Sequence, residues 1–307
     1  MPAGAAANGR SRPGGPLMEF ATQSVIIGLT EYAPLVLAAI GFALLYRLTG
    51  LINVAYSETI TLGAYFGVWL NTSFGLDFYA VLIPVAVMSG ALSVATYLAI
   101  FRPAKQRSVG SLELIIISFG LSILLRYGLQ FIFGYPVRYF DVPPPETLYV
   151  FGVGVGSFRV LAVASVAALA LVLYLFIQLS SYGLRIRALA SDEGLAKVSG
   201  IHPLAVTIAI WFIAGVAGGL AGAFLGVGSS VAPFLGWRQF LFIMLVVLVG
   251  GSWGLGGVIV AGIAAGIAVA AMTLQFGQVL YAQLVLIAAF IVVLKLRGRL
   301  LAETAKV

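Results

Sequence analysis

The sequence has no cysteine, one histidine and few charges: only 9% of its 307 residues are Asp, Glu, Lys or Arg. Without cysteine there is no disulfide, no thiol catalysis and no Cys-ligated metal. His202 stands beside Pro203 and reads as a solvated loop residue, because one imidazole builds neither a metal site nor a relay. No Gly-Lys-Ser/Thr phosphate loop occurs anywhere, so this chain does not hold ATP by that route. The stretch "GLGGVIVAG" is no dinucleotide fingerprint, since no soluble strand–helix unit surrounds it. A membrane-embedded enzyme would need a clustered nucleophile, base or metal set. These absences leave little to build one from.

What is present in excess is apolar. Hydrophobic residues make up 62% of the chain and the mean hydropathy is +1.11, whereas soluble domains are nearer half apolar and about a quarter charged. No soluble fold hides that much apolar surface, so the solvent is lipid. The apolar runs reach helix-spanning length and do not alternate in ten-residue strands, which points to a helical bundle and away from a β-barrel. The net charge of +7 fits loops that meet anionic lipid better than it fits nucleic acid.

Polar and Pro/Gly clusters cut the chain into candidate spans at 24–46, 51–70, 79–101, 112–134, 158–180, 204–227, 238–250, 256–275 and 279–296. The stretch 238–275 is too long for one straight span, so "GGSWGLGG" must break it. The expected fold is an all-α polytopic transmembrane bundle of about eight or nine spans, some broken or re-entrant. The expected organisation is a disordered tail at 1–17, which lacks the apolar core of a signal peptide, a transmembrane domain at 18–300 with a polar loop at 181–203, and a C-terminal tail at 301–307. Arg47, Arg102, Lys105, Arg107, Arg185, Arg187, Lys197 and the basic C-terminal end fall on one side, against Arg10, Arg12, Arg138, Arg159 and Arg238 on the other. That asymmetry places the C-terminus in the cytoplasm. The N-terminus depends on whether 51–70 crosses or re-enters. The long connection 135–157 carries a Pro triplet that excludes helix there.

The polar stretch "RALASDEGLAKVSGI" (187–201) interrupts this pattern. Ser191 suits an N-cap, and Asp192 and Glu193 put negative charge in a first turn. Lys197, Gly200 and Pro203 mark the end. Leu195 and Val198 share a face. The expectation is a two-turn helix, about 12 Å long, lying across the cytoplasmic face. It is either an interfacial anchor for its loop or a docking peg for a cytoplasmic subunit.

The order of motifs resembles the permease subunits of branched-chain amino-acid ABC importers, a family that also includes urea and short-chain amide permeases. The segments that carry the resemblance are "GLINVAYSETITLGAYFG" (50–67), "AIFRPAKQRS", "LIIISFGLSILL", "SYGLRIRALASDEGLAKVSGI", "AGVAGGLAGAFLG" and "VVLVGGSWGLGGVIVAGIAAGI". They cover roughly residues 24–296. Tyr56 and Ser57 depart from the His and Gly usual in that family's first motif. The resemblance implies a coupling helix, with Ser191, Asp192, Glu193, Leu195, Ala196 and Gly200 engaging an ATP-hydrolysing subunit. It implies a transport subunit that is not an enzyme and has no cofactor of its own, ATP and Mg being bound by partners. The implied partners are a second homologous permease, two cytoplasmic ATP-binding subunits, an extracytoplasmic solute-binding protein and membrane lipid, in a bacterial plasma membrane. The implied cargo is a branched-chain or related amino acid, with urea or a short amide as the alternative.

The translocation pathway is expected around Asn53, Tyr56, Ser57, Glu58 and Gly63, and at Gly251 and Ser252 of the second break, because broken helices expose backbone to a polar cavity. A carboxylate inside a span is costly unless paired or hydrated. Glu58 therefore either lines the pathway or is clamped in a buried pair, for example with Arg126. Gly215, Gly218, Gly219 and Gly222 are spaced for close helix packing or for a pathway. An ion-coupled secondary transporter would want several intramembrane carboxylates, and only Glu58 is well placed.

Overall fold

The computed structural model describes residues 16–143, 146–150, 153–251, 254–278, 281–282, 284–289, 291–292 and 295. The tails at 1–17 and 301–307 lie outside the described residues, except that Pro16 and Leu17 already open the first helix. The helices are α1 (Pro16–Thr49), α2 (Tyr56–Phe74), α3 (Phe78–Thr96), α4 (Arg102–Gln106), α5 (Ser111–Phe133), α6 (Ser157–Leu179), α7 (Ser181–Ser191), α8 (Glu193–Val198), α9 (Pro203–Gly228), α10 (Leu235–Gly250) and α11 (Gly254–Phe276). A π-helical turn, Tyr97–Phe101, joins α3 to α4. The described residues from 281 to 295 are helical as well. Among the described residues five helices are long and apolar enough to cross a membrane, and α6 bent with α7 makes a sixth if the pair is one span. The chain is a polytopic helical bundle.

At the centre, α9 packs on α1, α2 and α3. Its small residues allow this. A Cβ on Gly219 would run into the Ser89 side chain of α3, and one on Gly222 into the carbonyl of Ile60 in α2. The spacing of three and four that marks these glycines thus serves backbone contact. Gly222→Val is expected to cost about 1–3 kcal/mol by overpacking. Thermal unfolding of the detergent-purified protein reads this, with Gly256→Ala as the control because a Cβ there meets nothing.

The described residues from 135 to 156 are non-helical, in keeping with the prolines of this stretch. It holds a two-stranded antiparallel hairpin, β1 (Thr147–Val150) with β2 (Val153–Gly156). Arg138 and Val231 exchange backbone hydrogen bonds at 2.9 Å in both directions. Asn71, at the far end of α2, pins the same loop by donating to the Asp141 carbonyl and accepting from its N–H. Arg159, at the start of α6, pairs with Glu31 of α1 at 3.1 Å. These contacts tie one end of the bundle together.

At the opposite end, α6 turns into α7 through 73°. Ser180 is extended there, and its Oγ accepts from the Gly183 N–H at 2.9 Å, capping α7. Only glycine fits at 183, because a Cβ would collide with the Ile177 carbonyl. Arg187 of α7 reaches back and donates Nη1 to the carbonyls of Ile177 and Gln178. Those are among the orphan carbonyls that any helix end leaves. The bend is thus stabilised from both sides.

Candidate functional site

The polar segment before α2 builds the first site. After α1 ends, residues 50–55 run without regular structure and α2 starts at Tyr56. Asn53 initiates the helix: its Oδ1 accepts from the Ala55 N–H at 3.1 Å, and its carbonyl accepts from the Tyr56 N–H. The first turns of α2 are buried on every side, with Ser57 and Thr61 fully enclosed and Glu58 1% exposed. Tyr56 donates its hydroxyl to the Ala38 carbonyl of α1 at 2.8 Å. Thr61 Oγ1 accepts from the Gly236 N–H at the start of α10. This helix end is therefore held by α1, α10 and the irregular segment before it.

The fourth holder is α5. Its outer face is apolar and exposed, with Leu112, Ile116 and Ile123 pointing away from the bundle. Its inner face carries Ser118, Ser122 and Arg126, spaced four apart and so aligned on one stripe. Ser118 Oγ accepts from the Val54 N–H at 3.1 Å. Ser122 Oγ donates to Glu58 Oε1 at 2.9 Å. Arg126 donates both Nε, at 3.2 Å, and Nη2 to the same oxygen. The guanidinium also lies over two rings at the α10 start, 4.8 Å from the Phe234 centroid and 4.6 Å from that of Trp237. A buried carboxylate at a helix N-terminus, facing a buried guanidinium, satisfies charge and macrodipole together. Glu58 Oε2 alone has no partner among the described residues. Beside this cluster a void of about 10 Å³, lined by Asn53, Thr59, Ser93 and Thr96 among others, has room for about one water. The site is closed.

The second site is the polar loop. Its helix differs from the expected single one: Ser191 does not cap it but ends α7, and Asp192 takes the N-cap of α8. Asp192 Oδ1 accepts from the Leu195 N–H at 2.9 Å. The reason is that residues 181–191 continue as helix of their own, so the extended break falls one residue later. The end is as the composition demands. Gly200 has φ of +80°, its N–H bonds the Lys197 carbonyl, and the Ile201 N–H bonds the Ala196 carbonyl, which is a Schellman close. Ala196 is buried against the bundle, whereas Leu195 is 65% and Val198 83% exposed. A short capped helix thus presents two bare apolar side chains on an otherwise polar loop.

Comparison with known proteins decides what kind of chain this is. The family model for the permease component of the branched-chain amino acid transport system matches residues 24–294. The chain belongs to that family. It is a permease component and a multi-pass membrane protein, not an enzyme. Its relatives include the LivH permease of the high-affinity branched-chain amino acid transport system of Escherichia coli K12, 26% identical over 268 residues that cover 80% of this chain and 84% of that protein. BraD of Pseudomonas aeruginosa, from a system of the same description, is 26% identical over 270 residues, covering 83% of this chain and 87% of the relative. A protein of Methanocaldococcus jannaschii named "Probable branched-chain amino acid transport permease protein LivH" is 25% identical over 265 residues, covering 84% and 83%. No solved structure matches the permease.

Within the permease, Asn53, Tyr56, Ser57 and Glu58 come together at the α2 start, and Glu58 meets Arg126. Gly63 lies two turns further along, where a Cβ would strike the Gly219 backbone of α9. Gly251 follows α10 at the end remote from Gly236, fifteen residues or about 22 Å along the helix, so it is not part of this cluster. Ser252 lies outside the described residues. It is the start of α10 that reaches the α2 site. Sequence reasoning missed Ser118, Ser122, Phe234, Gly236 and Trp237. The four-residue stripe of Ser118, Ser122 and Arg126 in an apolar span was a readable signal; the aromatic pair left none.

Proposed function

We propose that this permease is the membrane-spanning subunit of an ABC importer that moves a branched-chain or related amino acid, driven by ATP hydrolysed on separate subunits. The observation that carries the reading is the family match over 24–294, together with relatives whose names specify branched-chain amino acids. The partners are a second, related permease, two ATP-binding subunits and an extracytoplasmic binding protein. ATP and Mg belong to those subunits. The C-terminus lies in the cytoplasm of a prokaryotic cell, following the basic residues. A count of nine membrane segments follows when α2, α10 and the described helical residues between 281 and 295 are added to the six long candidates, and of eight if α2 re-enters.

The mechanism uses the two sites. The peg is α8, with Asp192 and Gly200 fixing its ends and Leu195 and Val198 seated in a groove of the ATPase. Its motion is carried through α7 and the capped α6–α7 bend into the bundle. The gate is the α2 start, where Glu58 and Arg126 hold α2 to α5 in the closed state. Parting them opens a polar path past Asn53, Tyr56 and Ser57.

The full complex, rebuilt in proteoliposomes with its ATPases and binding protein, tests this. Labelled leucine is expected to accumulate only when ATP is present, and excess urea is not expected to compete. Accumulation by the permease alone, or uptake of urea in place of leucine, would overturn the proposal.

A further inference from the structure

The helices α6 and α11 both lean on α1 without packing closely on each other, which leaves a groove along α1. Its character changes from end to end. Over most of its length it is an apolar slot of about 370 Å³, lined by Leu29, Val36, Val166, Leu171 and Ile263 among others. Along α6 the slot runs from Val163 to Tyr174, eleven residues or about 16 Å, close to half the roughly 30 Å of a bilayer's hydrocarbon. One turn beyond Tyr174 on α6, the same three helices and α7 enclose a second pocket of about 320 Å³. This one is more polar than the slot, and it is cationic. Arg47 and Arg187 line it with Gln178 and Ser191, and among the described residues no carboxylate does.

We propose that this groove is a binding site for one anionic phospholipid, with the phosphate headgroup between Arg47 and Arg187 and an acyl chain in the slot. The charge argues for the headgroup. Arg187 spends Nη1 on the carbonyls that end α6, but a guanidinium has five N–H donors in a fixed fork. Arg47 is exposed and has no ion-pair partner among the described residues. Two guanidiniums without a carboxylate select a phosphate. The slot argues for the tail, since an apolar groove open within the membrane fills with hydrocarbon rather than water. Ser191, in the headgroup pocket, immediately precedes Asp192, the cap of α8. Lipid occupancy therefore braces the bend that leads to the exposed helix. The inference rests on the membrane-spanning bundle, not on import, so the two fail separately.

The test uses the purified full-length permease, delipidated in detergent, and counts bound lipid by native mass spectrometry. Phosphatidylglycerol is expected to bind with a stoichiometry of one and more tightly than phosphatidylcholine of the same chains, with the preference shrinking as salt rises. Arg47→Gln removes no hydrogen bond or ion pair found among the described residues and is expected to weaken phosphatidylglycerol about fivefold, the equivalent of about 1 kcal/mol for one basic residue at the surface. It should leave phosphatidylcholine unchanged. Ala167→Phe, which puts a ring into the slot, should weaken both lipids. Inorganic phosphate alone should not compete at concentrations matched to the lipid. Equal binding of the two lipids, an unchanged preference in Arg47→Gln, or full competition by phosphate would each overturn the assignment. So would cross-links from Leu171 to a second permease copy through the groove.

Discussion

Arg126→Met should destabilise the permease by about 3–5 kcal/mol, the cost of removing one partner from a buried ion pair. Glu58 would be left 1% exposed, with Ser122 and Ser57 as its remaining side-chain neighbours at Oε1 and with no partner at Oε2. Methionine fills much of the space between Phe234 and Trp237 and makes favourable sulfur–ring contacts, so the loss is charge and not volume. Detergent thermal melts and the amount of folded protein in the membrane measure it. Glu58→Gln with Arg126→Met removes both charges. It should recover most of the stability, because replacing a whole buried pair is often neutral. Its uptake separates the two roles. If the pair is the gate, the double variant is folded yet transports at least tenfold more slowly, equivalent to about 1.4 kcal/mol in the barrier. Uptake at the normal rate would mean that the pair only clamps α2 to α5.

The second large effect is expected at α8. Leu195→Asp or Val198→Asp should abolish uptake while leaving insertion and folding normal, because both side chains are exposed in this chain. Each anchor of a docked helix is worth about 2 kcal/mol, so ATPase binding should weaken about thirtyfold per substitution. Pull-down of the ATPase by tagged permease reads this directly. Gly200→Val is expected to act by another route, since a β-branched residue at φ of +80° is strained by about 1–2 kcal/mol and the Schellman close would fray. Retained pull-down with Val198→Asp would remove α8 as the point of contact.

The sequence expectations held where the controlling physics is local. Eight spans cut at prolines, glycines and charges match described helices within a few residues, except that α1 extends eight residues before 24 and the 51–70 helix starts late, at Tyr56. The break after Gly250 and the helix close at Gly200 were readable for the same reason: a left-handed residue or a missing N–H acts within one turn. The misplaced cap at Ser191 shows the limit of that approach. Ser and Asp are near-equal caps, and which one serves depended on α7 running on to residue 191.

Composition and periodicity alone determined that this protein is a helical bundle in lipid, where its helices start and stop, and that a small polar helix interrupts them. Only the tertiary structure decided that Glu58 meets Arg126 across 68 residues, that two rings at the α10 start lie against the guanidinium, and that α6 and α11 leave a groove on α1 with arginines at one end. The physical reason is reach. Caps, breakers and apolar length act through the chain within a turn or a span, whereas the choice of neighbouring helix is made by side-chain fit and charge pairing between segments far apart in sequence.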